Sequence, residues 1–240
     1  MFITFEGSEG SGKTTQSELL TKALQEKGFD VIHTYEPGGT KISEKIRQIL
    51  LDPENFNMSA LTELFLYLSA RAQIVKEVIK PALEAGKIVI CDRFIDATLA
   101  YQGYGRGLNK KLIQKLNSVV TQDIKPDLTI VLDVDTNEGL QKAINLHKDI
   151  YPPGKGDRIE QEGLEFHQRV RNGYLEIGKQ NPQRVKIINR QKNVEEIHQI
   201  ILGYVNRLLN INSVSNPSKD LRGLLKGIDN KEIREEEERV

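Results

Sequence analysis

The chain has 240 residues, 38% hydrophobic and 28% charged, enough for one large α/β domain or two small ones. Lys plus Arg equals Asp plus Glu at 34 each, so no global basic field marks nucleic acid or an anionic membrane as a partner. Cys91 is the single cysteine, which excludes an intramolecular disulfide and points to a reducing, cytoplasmic setting.

Phe2 to Thr15 reads as a short apolar strand, a glycine-rich turn and the start of a helix. The strand is too short for export or for crossing a membrane. Gly7, Gly12, Lys13 and Thr14 fit the P-loop pattern, with Ser8, Glu9, Gly10 and Ser11 as its interior. Glycines there let successive amides point at phosphate oxygens, and the following helix adds its positive end. Lys13 would reach the outer phosphates, and the Thr14 hydroxyl would bind Mg2+. The helix carries Leu19, Leu20, Ala23 and Leu24 and stops near Gly28. Phe29 to Thr34 reads as a second buried strand, and Glu36-Pro37-Gly38-Gly39-Thr40 as a turn. A helix through Ile42, Ile46, Ile49 and Leu50 ends before Pro53. Ser59 caps a long helix with Leu61, Leu64, Leu68, Ala72, Val75 and Ile79, which Pro81 kinks or ends.

Lys87 to Cys91 is a third strand, continuously apolar as a parallel sheet covered on both faces requires. Helical periodicity follows over Leu108 to Val120, then a fourth strand (Leu128 to Leu132) and a helix from about Thr136. Pro152, Pro153, Gly154 and Gly156 make His147 to Asp157 an irregular loop. A helix from about Ile159 to Gly178, a fifth strand (Val185 to Ile188) and a helix near Val194 to Leu209 complete the pattern. Such alternation predicts a doubly wound parallel sheet, and with the Gly7 to Thr14 motif an α/β P-loop fold: five parallel strands with helices on both faces. The predicted domain is 1–210. From about Asn212 the pattern fades into a polar tail, 211–240, with Ser213, Ser215, Pro217 and Ser218 as linker and Glu235 to Glu238 as a solvated charge run.

Five stretches, in order, carry a resemblance to the thymidylate kinases of the nucleoside monophosphate kinase group. They are Phe5 to Thr15, Glu36 to Thr40, Asp92-Arg93-Phe94, Ala100-Tyr101-Gln102-Gly103 and Asp157-Arg158-Ile159-Glu160-Gln161-Glu162. Together they cover about residues 1 to 208. Beside the resemblance, Asp92 ends a strand where a carboxylate can organise Mg2+ near the P-loop, or else cap the next helix. Arg93 suits bidentate phosphate capture, or is a plain surface arginine. Tyr67 and Arg71 share a helix face. They could stack on and donate to a pyrimidine, or be core packing and a solvated charge.

For Asp92 and Arg93, at the sheet's carboxyl edge, the first alternative is expected, and for Tyr67 and Arg71 the resemblance implies it, with Tyr67 rather than Phe65 as the aromatic. It implies that Thr98 and Gln102 bond the base, that Tyr101 packs near the sugar, and that Ala97 stands where related enzymes often have serine. It makes Glu36, Pro37 and Arg47 parts of the monophosphate pocket, with Arg47 on the phosphate, and turns Glu9 toward the deoxyribose 3′-hydroxyl. The lid, about 143–158, departs from the family. Bacterial relatives without a basic residue in the P-loop interior usually carry lid arginines, yet Ile144 to Gly156 holds only Lys148 and Lys155. Such a lid implies a slow enzyme, a different closing geometry, or Arg158 as the lid cation, a third catalytic residue beside Lys13 and Arg93.

The implied activity is ATP- and Mg2+-dependent phosphorylation of dTMP to dTDP by a homodimer, for dTTP biosynthesis. The rivals are a kinase of another monophosphate, a P-loop switch or regulator, and a weakened nucleotide-binding homologue. No guanine-reading Asn-Lys-x-Asp motif supports the switch.

Overall fold

A computed structural model describes residues 1–151, 155–189 and 191–215, with side chains to residue 209. Among them, five parallel strands form one sheet: β1 (Phe2–Glu6), β2 (Val31–Tyr35), β3 (Ile88–Asp92), β4 (Leu128–Asp133) and β5 (Val185–Asn189), in the order β2-β3-β1-β4-β5. The inner strands are buried almost throughout, as parallel strands covered on both faces must be. β2 corrects the expectation of a buried strand starting at Phe29. It is an edge strand in which only Val31 and Thr34 are buried, and Phe29 instead donates its N–H to Leu24 at the end of the preceding helix.

The register sets Phe2, Thr4 and Glu6 on one face with Val89, Cys91, Thr129 and Val131, and Ile3 and Phe5 on the other with Ile90 and Ile130. Helix α1 (Lys13–Glu26) covers the second face with Leu20 and Leu24, and its Ser17 hydroxyl lies 2.9 Å from His33 Nε2 on β2. Helix α2 (Lys41–Leu51) and helix α3 (Ala60–Ile74) are capped by Thr40 and Ser59. Beyond Ile74 the chain runs on through a π-helical turn, Val75–Ile79, into α4 (Lys80–Glu84). Pro81 thus neither ends nor simply kinks the helix. The hydrogen-bond ladder widens one turn before the residue that lacks an N–H.

A second π-helical stretch, Leu99–Gly105, continues the short α5 (Ile95–Thr98) and contains Tyr101 and Gln102. Helices α6 (Lys110–Thr121), α7 (Thr136–Leu146, capped by Asp135) and α8 (Leu164–Gln180) follow. The start of α8 is later than the expected Ile159, because Asp157 closes a turn first. Its Oδ1 accepts from the N–H groups of Ile159 (2.8 Å) and Glu160 (2.9 Å). The first sheet face packs on Ile74, Val75 and Ile79 and on Phe166, Val170 and Tyr174 of α8. Within that face Glu6 is fully buried and accepts from Phe94 N, Ala97 N and Tyr174 Oη at 2.8, 3.2 and 2.8 Å.

The chain divides into a compact unit Met1–His198 and a second, Gln199–Val240, whose described part is helical as the later portion of α9 (Val194–Ser215). Asn212 to Ser215, read as the start of a linker, is therefore helix. Pro152, Pro153 and Gly154 of the expected loop, and Pro217, Ser218 and Glu235 to Glu238 of the tail, lie outside the described residues. No helix among the described residues is long and apolar enough to cross a membrane.

Candidate active site

The P-loop runs from the carboxyl end of β1 into α1. Gly7, Gly10 and Gly12 take φ of 139°, 64° and 91°, a region that side chains avoid. At Gly10 the need is also steric, since a Cβ would stand 2.0 Å from the carbonyl oxygen of Gly139 in the first turn of α7. Lys13 folds back on the loop, donating to Gly7 O (3.2 Å), Ser8 O (2.9 Å) and Ser11 Oγ (3.3 Å). Burial, then the neighbouring Arg93, push its ammonium down to about 8 against the pull of Glu9 and Asp92. The Thr14 hydroxyl donates to Asp92 Oδ2 at 2.7 Å. Two hard oxygen donors meeting beside a phosphate loop suit Mg2+, which keeps waters and takes few protein ligands. The alternative role of Asp92 as a helix cap is not realised. Phe94 is the residue before α5, and no side chain caps that helix.

Arg93 adopts φ of 68° at the end of β3, an uncommon state for a non-glycine residue. Its N–H bonds Phe5 O at 2.8 Å, and the turn carries the guanidinium beneath the P-loop rather than out to solvent. Nη2 donates to both oxygens of Glu9 (2.9 and 2.8 Å), and Nη1 to Gly7 O and Tyr101 Oη (3.2 and 3.0 Å). Tyr101 Oη donates to Glu9 at 2.6 Å. Burial alone would raise the Glu9 carboxyl, but Arg93, Lys13 and this hydroxyl hold it down to about 2.

A second group of polar side chains centres on Arg71. Arg71 is 1% exposed, so the solvated-charge reading fails. Its Nε and Nη2 both reach Glu36 Oε2 (2.8 and 2.7 Å). Nη1 bonds Thr98 Oγ1 (2.6 Å) and Asn117 Oδ1 (2.7 Å), and Nη2 also bonds Phe94 O (2.8 Å). All five N–H groups are thus engaged. Gln102 Nε2 donates to Glu63 Oε1 at 2.8 Å. Arg47 donates to Pro37 O at 2.9 Å. Phe65 is exposed, whereas Tyr67 lines the cavity described below.

One cavity of about 680 Å³ joins the two halves. Every residue expected to bind nucleotide, metal or acceptor lines it except Gly7, Ser8 and Arg158. For Arg158 the placement differs from the expectation of a lid cation. Its side chain is 5% exposed and turns toward α2 and α3, donating from Nε to Leu50 O (2.7 Å) and pairing through Nη1 with Glu63 (2.7 Å). Nη2 is buried without a partner, and with Nε and Nη1 held by Leu50 and Glu63 the side chain does not line the cavity. Lys148 and Lys155 do not line the cavity either, whereas Lys142 of α7 does.

Residues 5–201 match the family model described as thymidylate kinase. The chain belongs to the thymidylate kinase family. A thymidylate kinase of Pelobacter propionicus is 51% identical over 211 residues, covering 87% of this chain and 96% of that one. One of Desulforapulum autotrophicum is 47% identical over 227 residues, covering 95% and 100%. The crystal structure of thymidylate kinase from Ehrlichia chaffeensis superposes with a TM-score of 0.67 at 38% identity, over 85% of this chain and 98% of that one. The enzyme class is that of a nucleoside monophosphate kinase.

Four residues of this thymidylate kinase site escaped the sequence reading. Glu63 stands four before Tyr67 and eight before Arg71, so helical spacing alone could have flagged it. Asn117 and Lys142 carried no local signal. Asp157, quoted in a motif but given no role, lines the cavity, its carboxyl pushed up to about 6 by burial and then by Glu9 and Glu160.

Proposed function

We propose that the protein transfers the γ-phosphoryl group of ATP to dTMP, giving ADP and dTDP for dTTP biosynthesis. The observation that carries this reading is the single cavity running from Lys13 and Thr14 past Arg93 to Tyr67, Arg71, Thr98 and Gln102. A P-loop switch has no use for the second half. ATP phosphates would lie along residues 7–14, with Lys13 exchanging its loop acceptors for phosphate oxygens. The dTMP base would lie against Tyr67, with its edge toward Thr98, Gln102 and Arg71. Because all five Arg71 N–H groups are taken, a base carbonyl is reached only by displacing a present acceptor. The dTMP phosphate would face Arg47 and Arg93, and the sugar Glu9 and Tyr101.

A dTMP phosphate oxygen attacks the γ-phosphorus in line, the bond to the bridging oxygen of ADP breaks, and Arg93 and Lys13 offset the charge on the transferring oxygens. Mg2+, held by Thr14 and Asp92, would neutralise part of the same charge. The residues of α7 and the 143–158 segment act as the lid, and Lys142 is the cation best placed to serve it. A homodimer in the cytoplasm belongs to the same reading, and sedimentation tests the dimer.

The deciding experiment is an ADP-release assay with ATP, magnesium and a panel of dTMP, dUMP, CMP, AMP and GMP. Turnover largely confined to dTMP is expected. Preference for another acceptor would move the assignment to that monophosphate. ATP binding without turnover on any acceptor would leave a nucleotide-binding homologue, the reading favoured by a lid whose arginine is engaged elsewhere.

A further inference from the structure

We propose that Glu63 is a positioning residue that sets base selectivity by fixing which end of the Gln102 amide faces the acceptor cavity. The proposal rests on the dTMP kinase reading above.

Glu63 is fully buried on the face of α3 that also carries Tyr67 and Arg71. Its two oxygens accept from Gln102 Nε2 (2.8 Å), Arg106 Nε and Nη2 (3.1 and 2.9 Å) and Arg158 Nη1 (2.7 Å). Burial alone would raise this carboxyl, but the hydrogen bonds of Arg106 and Gln102 and the charges of Arg106 and Arg158 hold it below the usual range. An ionised carboxylate only accepts. The Gln102 atom facing it must therefore be nitrogen, whichever way an isolated amide would turn. Gln102 is 1% exposed, so it has no solvent-facing alternative. With Nε2 pinned, the carbonyl oxygen is the end left for the cavity that Gln102 lines.

A fixed acceptor discriminates between pyrimidines. Thymine and uracil present an N3–H donor, whereas cytosine presents an N3 lone pair, so two acceptors would face each other. An amide free to turn would serve either base. Arg106 is secured in turn by Glu162 (2.6 Å), which makes the last residue of the Asp157 to Glu162 motif a brace for base reading.

The test compares kcat/KM for dTMP, dUMP and dCMP in the wild type, Glu63→Gln, Gln102→Leu and the double variant. Glutamine at 63 can donate as well as accept and so releases the constraint. The dTMP:dCMP ratio is expected to fall about tenfold or more in Glu63→Gln, through KM rather than kcat, because sites that bond a substrate N–H reject its absence strongly. The dTMP:dUMP ratio should hold, since both bases carry N3–H. In the Gln102→Leu background the second substitution should leave the dTMP:dCMP ratio unchanged. A merely structural Glu63 would depress all three acceptors alike and leave the ratio where it was, which overturns the proposal. Wild-type failure to phosphorylate dTMP removes this inference together with the function it rests on, whereas wild-type turnover with an unmoved ratio removes only the inference. Should Glu63→Gln not fold, amide exchange by 15N NMR in the wild type decides. Gln102 side-chain protons, assigned by their loss in Gln102→Leu, should be protected with and without dTMP, and exchange at the free-amide rate overturns the proposal.

Discussion

Two charged residues of the P-loop region sit away from their ordinary titration ranges, and each difference has a measurable consequence. Lys13 is held near 8 by burial and by Arg93. Bound phosphate oxygens would raise it again, so above pH 8 the free enzyme carries Lys13 partly neutral and the ATP complex carries it charged. ATP binding at pH 8.5 should therefore take up a fraction of a proton, seen as a dependence of calorimetric enthalpy on buffer ionisation. No uptake in the wild type, or equal uptake in Lys13→Arg, contradicts the assignment. Glu9 works in the opposite direction. Its carboxyl titrates near 2 in the fold against 4.5 ordinarily. A depressed acid contributes stability that is complete above the unfolded value and is lost as pH falls toward the folded one. The span corresponds to at most about 3 kcal/mol, less what residual solvent contact screens. Urea titrations from pH 6 to 2 should show Glu9→Gln less stable at pH 6 and converging with the wild type near pH 2. Parallel curves would show that the Arg93 pair contributes nothing.

At the scale of elements, the P-loop is seated on α7 as well as on its own helix. A Cβ at Gly139 would stand 2.5 Å from Glu9 O and 2.9 Å from Val134 Cγ1. Backbone cannot step aside as a side-chain tip can, so Gly139→Ala must move the loop that holds phosphate. Overpacking of about 1–3 kcal/mol at that seat should raise KM for ATP roughly tenfold while KM for dTMP changes little. Equal rises in both would place the strain elsewhere. Some elements of this kind were legible from sequence and others were not, for physical reasons. The P-loop and the inner strands show themselves through local rules, since glycine dihedrals and continuous apolar runs act within a few residues, whereas helical spacing puts Tyr67 and Arg71 on one face without saying what that face meets. The π-helical stretches Val75–Ile79 and Leu99–Gly105 add one residue to a turn and leave the apolar period nearly intact, so periodicity does not reveal them. Burial of β2 depends on its place at the sheet edge, a property of strand order rather than of its own residues. Arg71 meets Glu36 and Asn117 across 35 and 46 residues, a pairing no local pattern encodes.

At the scale of the whole catalytic unit, the walls of the acceptor pocket are tied together by charge. Glu63 on α3 collects Gln102 and Arg106 from and beyond the Leu99–Gly105 stretch and Arg158 from the turn before α8. Arg158 adds bonds to α2 through Leu50 O and Leu51 O. Motif order gives Arg158 a place along the chain, but order along a chain does not say toward which neighbour a side chain turns. A buried carboxylate stripped of one partner is costly, typically about 3–5 kcal/mol when it is left alone, and less where a second arginine remains. Arg158→Ala should therefore act on stability, lowering ΔG of unfolding by about 2–4 kcal/mol in denaturant titration, while kcat stays within about threefold of wild type. An arginine that reached the transferring phosphoryl group would give the reverse pattern, with kcat falling about 10³-fold or more and stability nearly unmoved. Lys142→Ala supplies the complementary half. Its loss should lower kcat at least tenfold with little change in unfolding, because its place is the cavity wall rather than the buried ion cluster. If the Arg158 variant loses turnover and the Lys142 variant keeps it, the lid closes by a rearrangement that frees Arg158 from Glu63, and the fixed brace described above is then a property of the open enzyme alone.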